Sequence, residues 1–296
     1  MSDLLPSMPP ENPPTAVPAG WYADPAGQFH YRWWESAGWT TWVAHGDDTF
    51  VQPLPEIRSD ATKTTASFPT TGVLWAIGGW FLAIVMSGLL LVGGDLIDDS
   101  LTTQLSTSTI GLYGGTTLVV WFLSRRYGSG HMFSDVGVSF RWIDLALGLA
   151  TGVAARALSI TTSILVVYAT GDSDADPGQL DALKESDTAI VVALIFAVFA
   201  APFFEELFFR GAIQRSFASR WRPVTAIAAT SLLFGAVHLS PEGTATTNLV
   251  LFSSTAVAGA CFGFSYWATK RLGAAMIGHF FFNLVAAVAL AWDHFG

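Results

Sequence analysis

The sequence predicts an all-α polytopic membrane protein of about seven transmembrane helices, with a small Trp-rich β-type module on a flexible linker before them. Of the 296 residues, 51% are hydrophobic and only 12% are charged, whereas soluble domains usually carry about 25% charged residues. The apolar residues are concentrated in runs long enough to cross a bilayer. Seven such runs lie near 72–94, 105–124, 144–170, 188–209, 224–239, 248–268 and 274–292.

Composition divides the chain into four segments. Residues 1–19 are rich in proline and predict a disordered leader, because they cannot form a packed core. Residues 20–46 carry Trp and Tyr runs on both sides of a turn signal, which predicts a small module of short strands. Residues 47–70 are acidic and Thr-rich and indicate a linker. The helical bundle is then expected over residues 71–293.

The aromatic pattern of the small module is distinctive. It contains the patterns GWY-x-DP, RWW and WT within residues 20–46. In these patterns it resembles a short Trp-rich domain of unknown function found at the ends of many actinobacterial membrane proteins. The resemblance implies an actinobacterial origin but no chemistry. We expect the aromatic side chains to form the core of the module, because it is too short for an aliphatic core.

Charge and cysteine content exclude several classes of protein. The net charge is −9 and there is no basic stripe, so nucleic acid is not an expected partner. The single cysteine, Cys261, excludes an internal disulfide framework. Every second loop between the apolar runs is basic, whereas the loops between these are acidic and contain a single lysine. Because basic loops stay on the cytoplasmic side, we expect a multi-pass protein of the plasma membrane with a cytoplasmic N-terminus. The basic loops hold Arg125, Arg126, Arg141, Arg215, Arg220, Arg222, Lys270 and Arg271.

Charged side chains interrupt two of the apolar runs. Glu205 and Glu206 lie between pairs of phenylalanines at the end of the fourth run. An acid at membrane depth costs about 2.5 to 3.5 kcal/mol on insertion scales, so it needs a partner or a function. On a helix, Glu206 and Arg210 are spaced to form an ion pair. Arg156 lies inside the third run, where we expect a structural partner or a side chain that snorkels to the interface.

Two further motifs lie at helical spacing in the last three runs, Phe234 with His238 and His279 with Asn283. Glu205 lies 17 residues before Arg222, where Pro223 favours a helix break, and His238 lies 16 residues after it. At about 1.5 Å per residue, the acid and this histidine are level in the membrane. His279 lies eight residues past Arg271, also a little inside the cytoplasmic face. We therefore expect Glu205, His238, His279 and Asn283 to share one site.

These residue types suit the hydrolysis of an amide by direct attack of water. A carboxylate with a histidine can hold and deprotonate water, and histidine with asparagine can donate hydrogen bonds to an oxyanion. No serine or cysteine has a paired base, so a covalent intermediate is not favoured. Glu205, His238 and His279 also match the ligand types of catalytic zinc sites, although HExxH spacing is absent. The cofactor therefore stays open between none and a divalent metal such as zinc.

The motifs EE-xxx-R, F-xxx-H and H-xxx-N, in this order, resemble those of the CAAX-processing and bacteriocin-immunity intramembrane protease family. The resemblance covers roughly residues 140–292 and implies an all-helical membrane endopeptidase with its site open toward the cytoplasm. By this resemblance, Glu205 activates water with help from His238, and His279 and Asn283 hold the oxyanion. Glu206 and Arg210 orient these residues, and Phe234 supports them. The same resemblance leaves the use of a metal open.

The sequence therefore predicts an intramembrane endopeptidase that cleaves a peptide or a membrane-protein segment near the cytoplasmic face, surrounded by membrane lipid. An alternative is a non-catalytic immunity or scaffold protein that binds a peptide in the same cavity. A transporter would be expected to show paired repeats between the two halves, and we find none. The oligomeric state and the substrate sequence are not indicated.

Overall fold

The computed structural model describes residues 18–24, 28–35, 38–52, 68–172 and 186–296. The chain divides into two compact units between Lys63 and Thr64. Almost all of the predicted Pro-rich leader, and most of the predicted linker, lie outside the described residues.

The N-terminal unit is a four-stranded antiparallel sheet, as expected of a β-type module. Its strands are β1 Gly20–Ala23, β2 Tyr31–Trp34, β3 Trp39–His45 and β4 Asp48–Val51, in the order β1-β2-β3-β4. The sheet continues past residue 46, the predicted end of the module, because Val43 pairs with Phe50 across β3 and β4. Trp34 is buried and meets the ring of Trp39 edge-on at 5.3 Å, so aromatic rings contribute to the core, which also contains the buried aliphatic side chains of Val43 and Ala44.

A buried ion pair lies inside this unit, between Asp24 and Arg32. Asp24 Oδ1 accepts a hydrogen bond from Arg32 Nε at 2.8 Å, and its Oδ2 accepts from the backbone N–H groups of Gln28 and Phe29. The Arg32 side chain is 1% exposed and that of Asp24 is fully buried. Burial raises the pKa of the Asp24 carboxyl, but the bonds from Arg32, Phe29 and Gln28 outweigh burial and hold this pKa below its ordinary value.

We expect the stability of the N-terminal unit to depend on this pair and on pH. Because the folded pKa of Asp24 is depressed, its contribution is present above the unfolded pKa of about 3.9 and is lost as pH falls through the lower folded value. At pH 7, Asp24→Asn leaves Arg32 without its counter-charge and should destabilise the unit by about 3–5 kcal/mol. Hydrogen exchange of residues 20–51 in the full chain measures this loss. The exposed Asp48→Asn is the control, and equal exchange in the two variants would contradict the expectation.

Within the described residues, the second unit contains a helix at each of the seven predicted runs and one short helix besides. The helices are α1 Gly72–Asp95, α2 Leu101–Tyr127, α3 Met132–Asp135, α4 Ile143–Thr170, α5 Asp187–Ala218, α6 Pro223–Ala236, α7 Ala245–Thr269 and α8 Leu272–Phe295. Five of them, α1, α4, α5, α7 and α8, are long and apolar enough to cross a membrane. The chain is therefore a mostly helical, multi-pass membrane protein.

The predicted number of seven spans is not confirmed, because α6 is short and α2 is partly polar. With 14 residues, α6 is about 21 Å long at 1.5 Å per residue, which is less than the hydrocarbon thickness of about 30 Å. The first third of α2 is rich in Thr, Ser and Gln, which lowers its hydropathy although it has 27 residues.

Small residues allow close contact between α4 and α8. A Cβ atom at Gly148 would lie 2.4 Å from Ile277 Cγ2, and one at Gly152 would lie 2.6 Å from the carbonyl oxygen of Gly278. Both contacts advance in the same direction along the two helices, so α4 and α8 are parallel neighbours. The apolar core of the unit includes the buried phenylalanines of α5 and, facing them, Phe234 of α6 and Phe262 of α7. The helix α5, which carries both predicted acids, therefore runs through the core.

Candidate active site

The two predicted acids lie in α5 where the helix changes its winding. Two π-helical segments, Phe196–Ala200 and Leu207–Gln214, flank the α-helical turn Ala201–Glu206. Pro202, at the start of that turn, has no N–H to donate and its ring crowds the preceding turn, so the regular α-helical bonds cannot continue through it. Segments of π-helix are found mostly at functional sites, and here they surround the acids.

Glu206 and Arg210 form the predicted ion pair, in the interior of the protein. Glu206 Oε1 lies 2.8 Å from Arg210 Nη1, and both side chains are fully buried. Arg210 Nη2 donates to the carbonyl oxygen of Gly259 in α7 at 2.9 Å. The guanidinium also lies over the ring of Phe234, 4.6 Å from its centroid. The pair therefore joins α5 to α6 and α7.

His279 of α8 contacts the same carboxylate. Its Nδ1 lies 3.0 Å from Glu206 Oε1, and its Nε2 lies 3.9 Å from Glu205 Oε2. Because a carboxylate paired with arginine only accepts hydrogen bonds, Nδ1 carries a proton that it donates to Glu206. The imidazole stacks on Phe262 with centroids 4.7 Å apart. Glu206 thus fixes the ring so that Nε2 faces Glu205.

Glu205 is the more accessible of the two acids. Its side chain is 21% exposed, and Oε2 has no hydrogen-bond partner among the described residues. Tyr113 of α2 donates its hydroxyl to Oε1 at 3.4 Å, and its ring stacks on Phe204. Tyr113 was not predicted from the sequence, since a single tyrosine among glycines and threonines of α2 has no recognisable partner there.

His238 follows the end of α6, in a turn rather than in the helix. Its Nδ1 lies 2.6 Å from the carbonyl oxygen of Phe234. A carbonyl only accepts, so Nδ1 donates and Nε2 remains for other contacts. The Phe234 ring is buried against both histidines, with centroids 4.7 Å from His238 and 5.8 Å from His279. Phe234 therefore orients one histidine through its backbone and packs against both through its ring.

Asn283 is held by the unusual winding of α5. Its Nδ2 donates to the carbonyl oxygen of Ala197 at 2.7 Å. In this π-helical segment the N–H of Ala201 bonds the carbonyl of Phe196. The next bond of that pattern would join Pro202 to Ala197, but proline has no N–H. The carbonyl of Ala197 is therefore left to accept from the amide of Asn283.

The four residues predicted to share a site line one cavity. Glu205, His238, His279 and Asn283 all contribute to the wall of a cavity of about 770 Å³, enclosed by α2, α4, α5, α6, α7 and α8. Glu205 and His238 also line a smaller cavity of about 100 Å³ next to α1. The shared depth inferred from the sequence therefore corresponds to a shared cavity.

The residues of this site do not form a ready ligand set for a metal. Over the described ranges, no group of three His, Cys, Asp or Glu side chains is placed to hold a metal ion. Glu205, His238 and His279 therefore line the cavity without the convergence that zinc ligands need. The Nδ1 bonds of His238 and His279 to Phe234 and Glu206 do not decide this point, because metal-binding histidines also donate their second ring N–H while Nε2 binds the metal.

Comparison with known proteins found a match to one family model. Residues 187–285 match the family model described as type II CAAX prenyl endopeptidase Rce1-like. No curated protein and no solved structure matches the chain. The matched segment contains every residue predicted for the site, namely Glu205, Glu206, Arg210, Phe234, His238, His279 and Asn283. Through this segment, which runs from α5 into α8 and covers about a third of the chain, the protein is similar to the Rce1-like CAAX prenyl endopeptidases.

Proposed function

We propose that this protein is an intramembrane endopeptidase that hydrolyses a peptide bond by direct attack of water on the carbonyl carbon. The observation that carries this proposal is the cavity where Glu205, with its unpartnered Oε2, meets His238, His279 and Asn283. The family match supports a protease in general terms. The roles of the individual residues rest on their contacts.

Glu205 is the general base of the proposed reaction. A carboxylate oxygen without a protein partner, on the wall of a cavity, can accept a proton from water. His238 lines the same cavity, and its Nε2 is available to hold that water because Nδ1 is engaged with Phe234. Tyr113 steadies the other oxygen of Glu205. The proton taken by Glu205 is then passed to the leaving amine.

His279 and Asn283 stabilise the oxyanion. Asn283 Nδ2 uses one N–H for Ala197 and keeps a second N–H for the cavity. His279 donates to the oxyanion from Nε2 when the ring is an imidazolium, with the other proton on Nδ1 donated to Glu206. Removing a single oxyanion donor costs about 10²- to 10³-fold in kcat in well-studied hydrolases. Glu206 and Arg210 act through His279 as positioning residues.

The proposed substrate is a peptide or a segment of a membrane protein. The cavity is lined mainly by apolar side chains and lies within helices long enough to span a membrane, so an apolar peptide can enter it from a lipid environment. The proposed orientation places the N-terminus in the cytoplasm, because Lys and Arg concentrate in alternate loops. The site then opens near the cytoplasmic face.

We expect peptide hydrolysis to continue in the presence of a metal chelator, because the residues of the site do not converge on a metal position. The experiment incubates the purified full-length protein with a pool of apolar peptides, with and without 1,10-phenanthroline, and identifies fragments by mass spectrometry. Metal content of the same preparation is the control. Loss of hydrolysis on chelation, with recovery on adding zinc, would overturn the direct attack of water without metal. Absence of fragments from every peptide, chelated or not, would count against the endopeptidase.

A further inference from the structure

Arg156 is a charged side chain near the middle of α4, and the proposed mechanism does not use it. It lies about 20 Å from either end of the helix at 1.5 Å per residue. Snorkelling to an interface is expected only near helix ends. A lipid headgroup is likewise too distant to be its partner. The cation therefore has to be accommodated inside the protein.

Arg156 has no counter-ion among the residues that the structure describes. Its Nη2 donates to the carbonyl oxygen of Phe282, and the guanidinium lies over the ring of Phe282 at 3.8 Å from its centroid. Its Nε is buried without a hydrogen-bond partner in the described part of the chain. None of the ion pairs among the described residues includes it. The predicted structural partner is therefore a carbonyl and a ring, rather than a carboxylate.

Arg156 lines the same cavity as the proposed catalytic residues. Among the described residues that line this cavity, Glu205 is the single acid, and it lies beyond ion-pair distance from Arg156. The wall near Arg156 is otherwise neutral, with the hydroxyl groups of Ser159 and Ser163 one and two turns further along α4. A cation that faces a largely apolar cavity without a protein anion is placed to bind an anion that enters the cavity.

We propose that Arg156 binds a carboxylate of the peptide substrate and so selects where the peptide is cut. This inference rests on the proposed endopeptidase function. The carboxylate belongs either to the C-terminus of the peptide or to an Asp or Glu side chain. A planar guanidinium that is already oriented by Phe282 presents further N–H groups in the fork that matches a carboxylate.

The packing of α4 on α8 gives the spacing between this charge and the reaction. Gly152 contacts Gly278, next to His279, and Arg156 lies one helical turn further along α4. The charge is therefore about 4.5 Å deeper than His279, measured along the helix axis. An extended peptide advances about 3.3 Å per residue. The bound carboxylate is then about one to two residues from the bond that is hydrolysed.

Three series of fluorogenic apolar peptides test this role. The first series ends in a free carboxylate, the second ends in a carboxamide, and the third ends in a carboxamide with one Asp placed at successive positions. The wild-type protein is expected to cleave a carboxylate series with kcat/KM about tenfold or more above the carboxamide series, as for a charge-assisted hydrogen bond. Preference for the first series assigns a terminal carboxylate, and preference for one Asp position in the third assigns a side chain.

Arg156→Gln is expected to abolish this preference, Arg156→Lys to keep part of it, and the exposed Arg126→Gln to keep all of it. The readout is the ratio between series, with the pH profile unchanged, because an effect through Glu205 would shift that profile. If Arg156→Gln does not fold, Arg156→Lys still has to show a reduced ratio. A wild-type protein that treats the series alike, or an Arg156→Gln protein that keeps the preference, would overturn the proposal.

Peptide binding to the Glu205→Gln protein separates this proposal from the endopeptidase itself. Equal cleavage of all series supports the endopeptidase and removes the role of Arg156. Carboxylate-dependent binding that Arg156→Gln abolishes, without cleavage of any peptide by the wild type, removes the endopeptidase and supports the anion site.

Discussion

Glu205→Gln is expected to lower kcat for peptide hydrolysis by about 10²- to 10⁴-fold, the contribution typical of a general base. Glutamine has the same size, but its amide cannot accept the proton of water. The hydroxyl of Tyr113 can still donate to the amide oxygen, so the local contact that holds the side chain persists. The fold should therefore remain intact while the reaction stops. Cleavage of a fluorogenic peptide, measured together with thermal unfolding in detergent, checks both expectations.

Glu242→Gln is the matched control for this change. Glu242 is exposed in the connection between α6 and α7, so the same chemical substitution there should leave kcat unaltered. Full activity of Glu205→Gln would remove Glu205 as the base. The non-catalytic alternative makes a different prediction, namely that the wild type and Glu205→Gln bind peptide equally and neither cleaves it. The two outcomes cannot be confused, because one concerns cleavage and the other concerns binding.

The sequence was sufficient to predict which residues share the cavity, because each lies in a helix, or in the turn that follows one, whose depth can be counted from charged boundaries. Glu205 and His238 were placed level by counting to Arg222, and both line the same cavity. Depth estimated by counting residues changes little with such irregularities, because a π-helical segment shortens α5 by only a fraction of a turn. The family match confirms the resemblance that the three motifs indicated.

Contacts that depend on irregular backbone could not be predicted in this way. The bond from Asn283 to Ala197 exists because a π-helical segment precedes Pro202, and no periodicity of side chains reports such a segment. Tyr113 contacts Glu205 from α2, 92 positions earlier in the chain, and no sequence motif relates the two residues. The backbone partner of Arg156 is equally invisible, because every residue has a carbonyl.

Removing either partner of the Glu206–Arg210 pair is expected to destabilise the second unit by about 3–5 kcal/mol, because each substitution leaves an uncompensated buried charge. Glu206→Gln also removes the carboxylate that holds the proton on His279 Nδ1. Arg210→Met removes the donor to Gly259 together with the charge. The exposed Arg222→Met is the control for loss of an arginine and should change stability little.

The double variant, Glu206→Gln with Arg210→Met, distinguishes a coupled pair from two separate contributions. Because neither charge then remains buried alone, its loss of stability should be smaller than the sum of the two single losses, by about 0.5–3 kcal/mol. Thermal unfolding of all four proteins in one detergent gives this difference. Additive losses would mean that each side chain is stabilised by its other neighbours, with His279 stabilising Glu206 and Gly259 stabilising Arg210. A recovered fold without recovered cleavage would show that the pair is needed to orient His279, rather than only to hold α5 in the core.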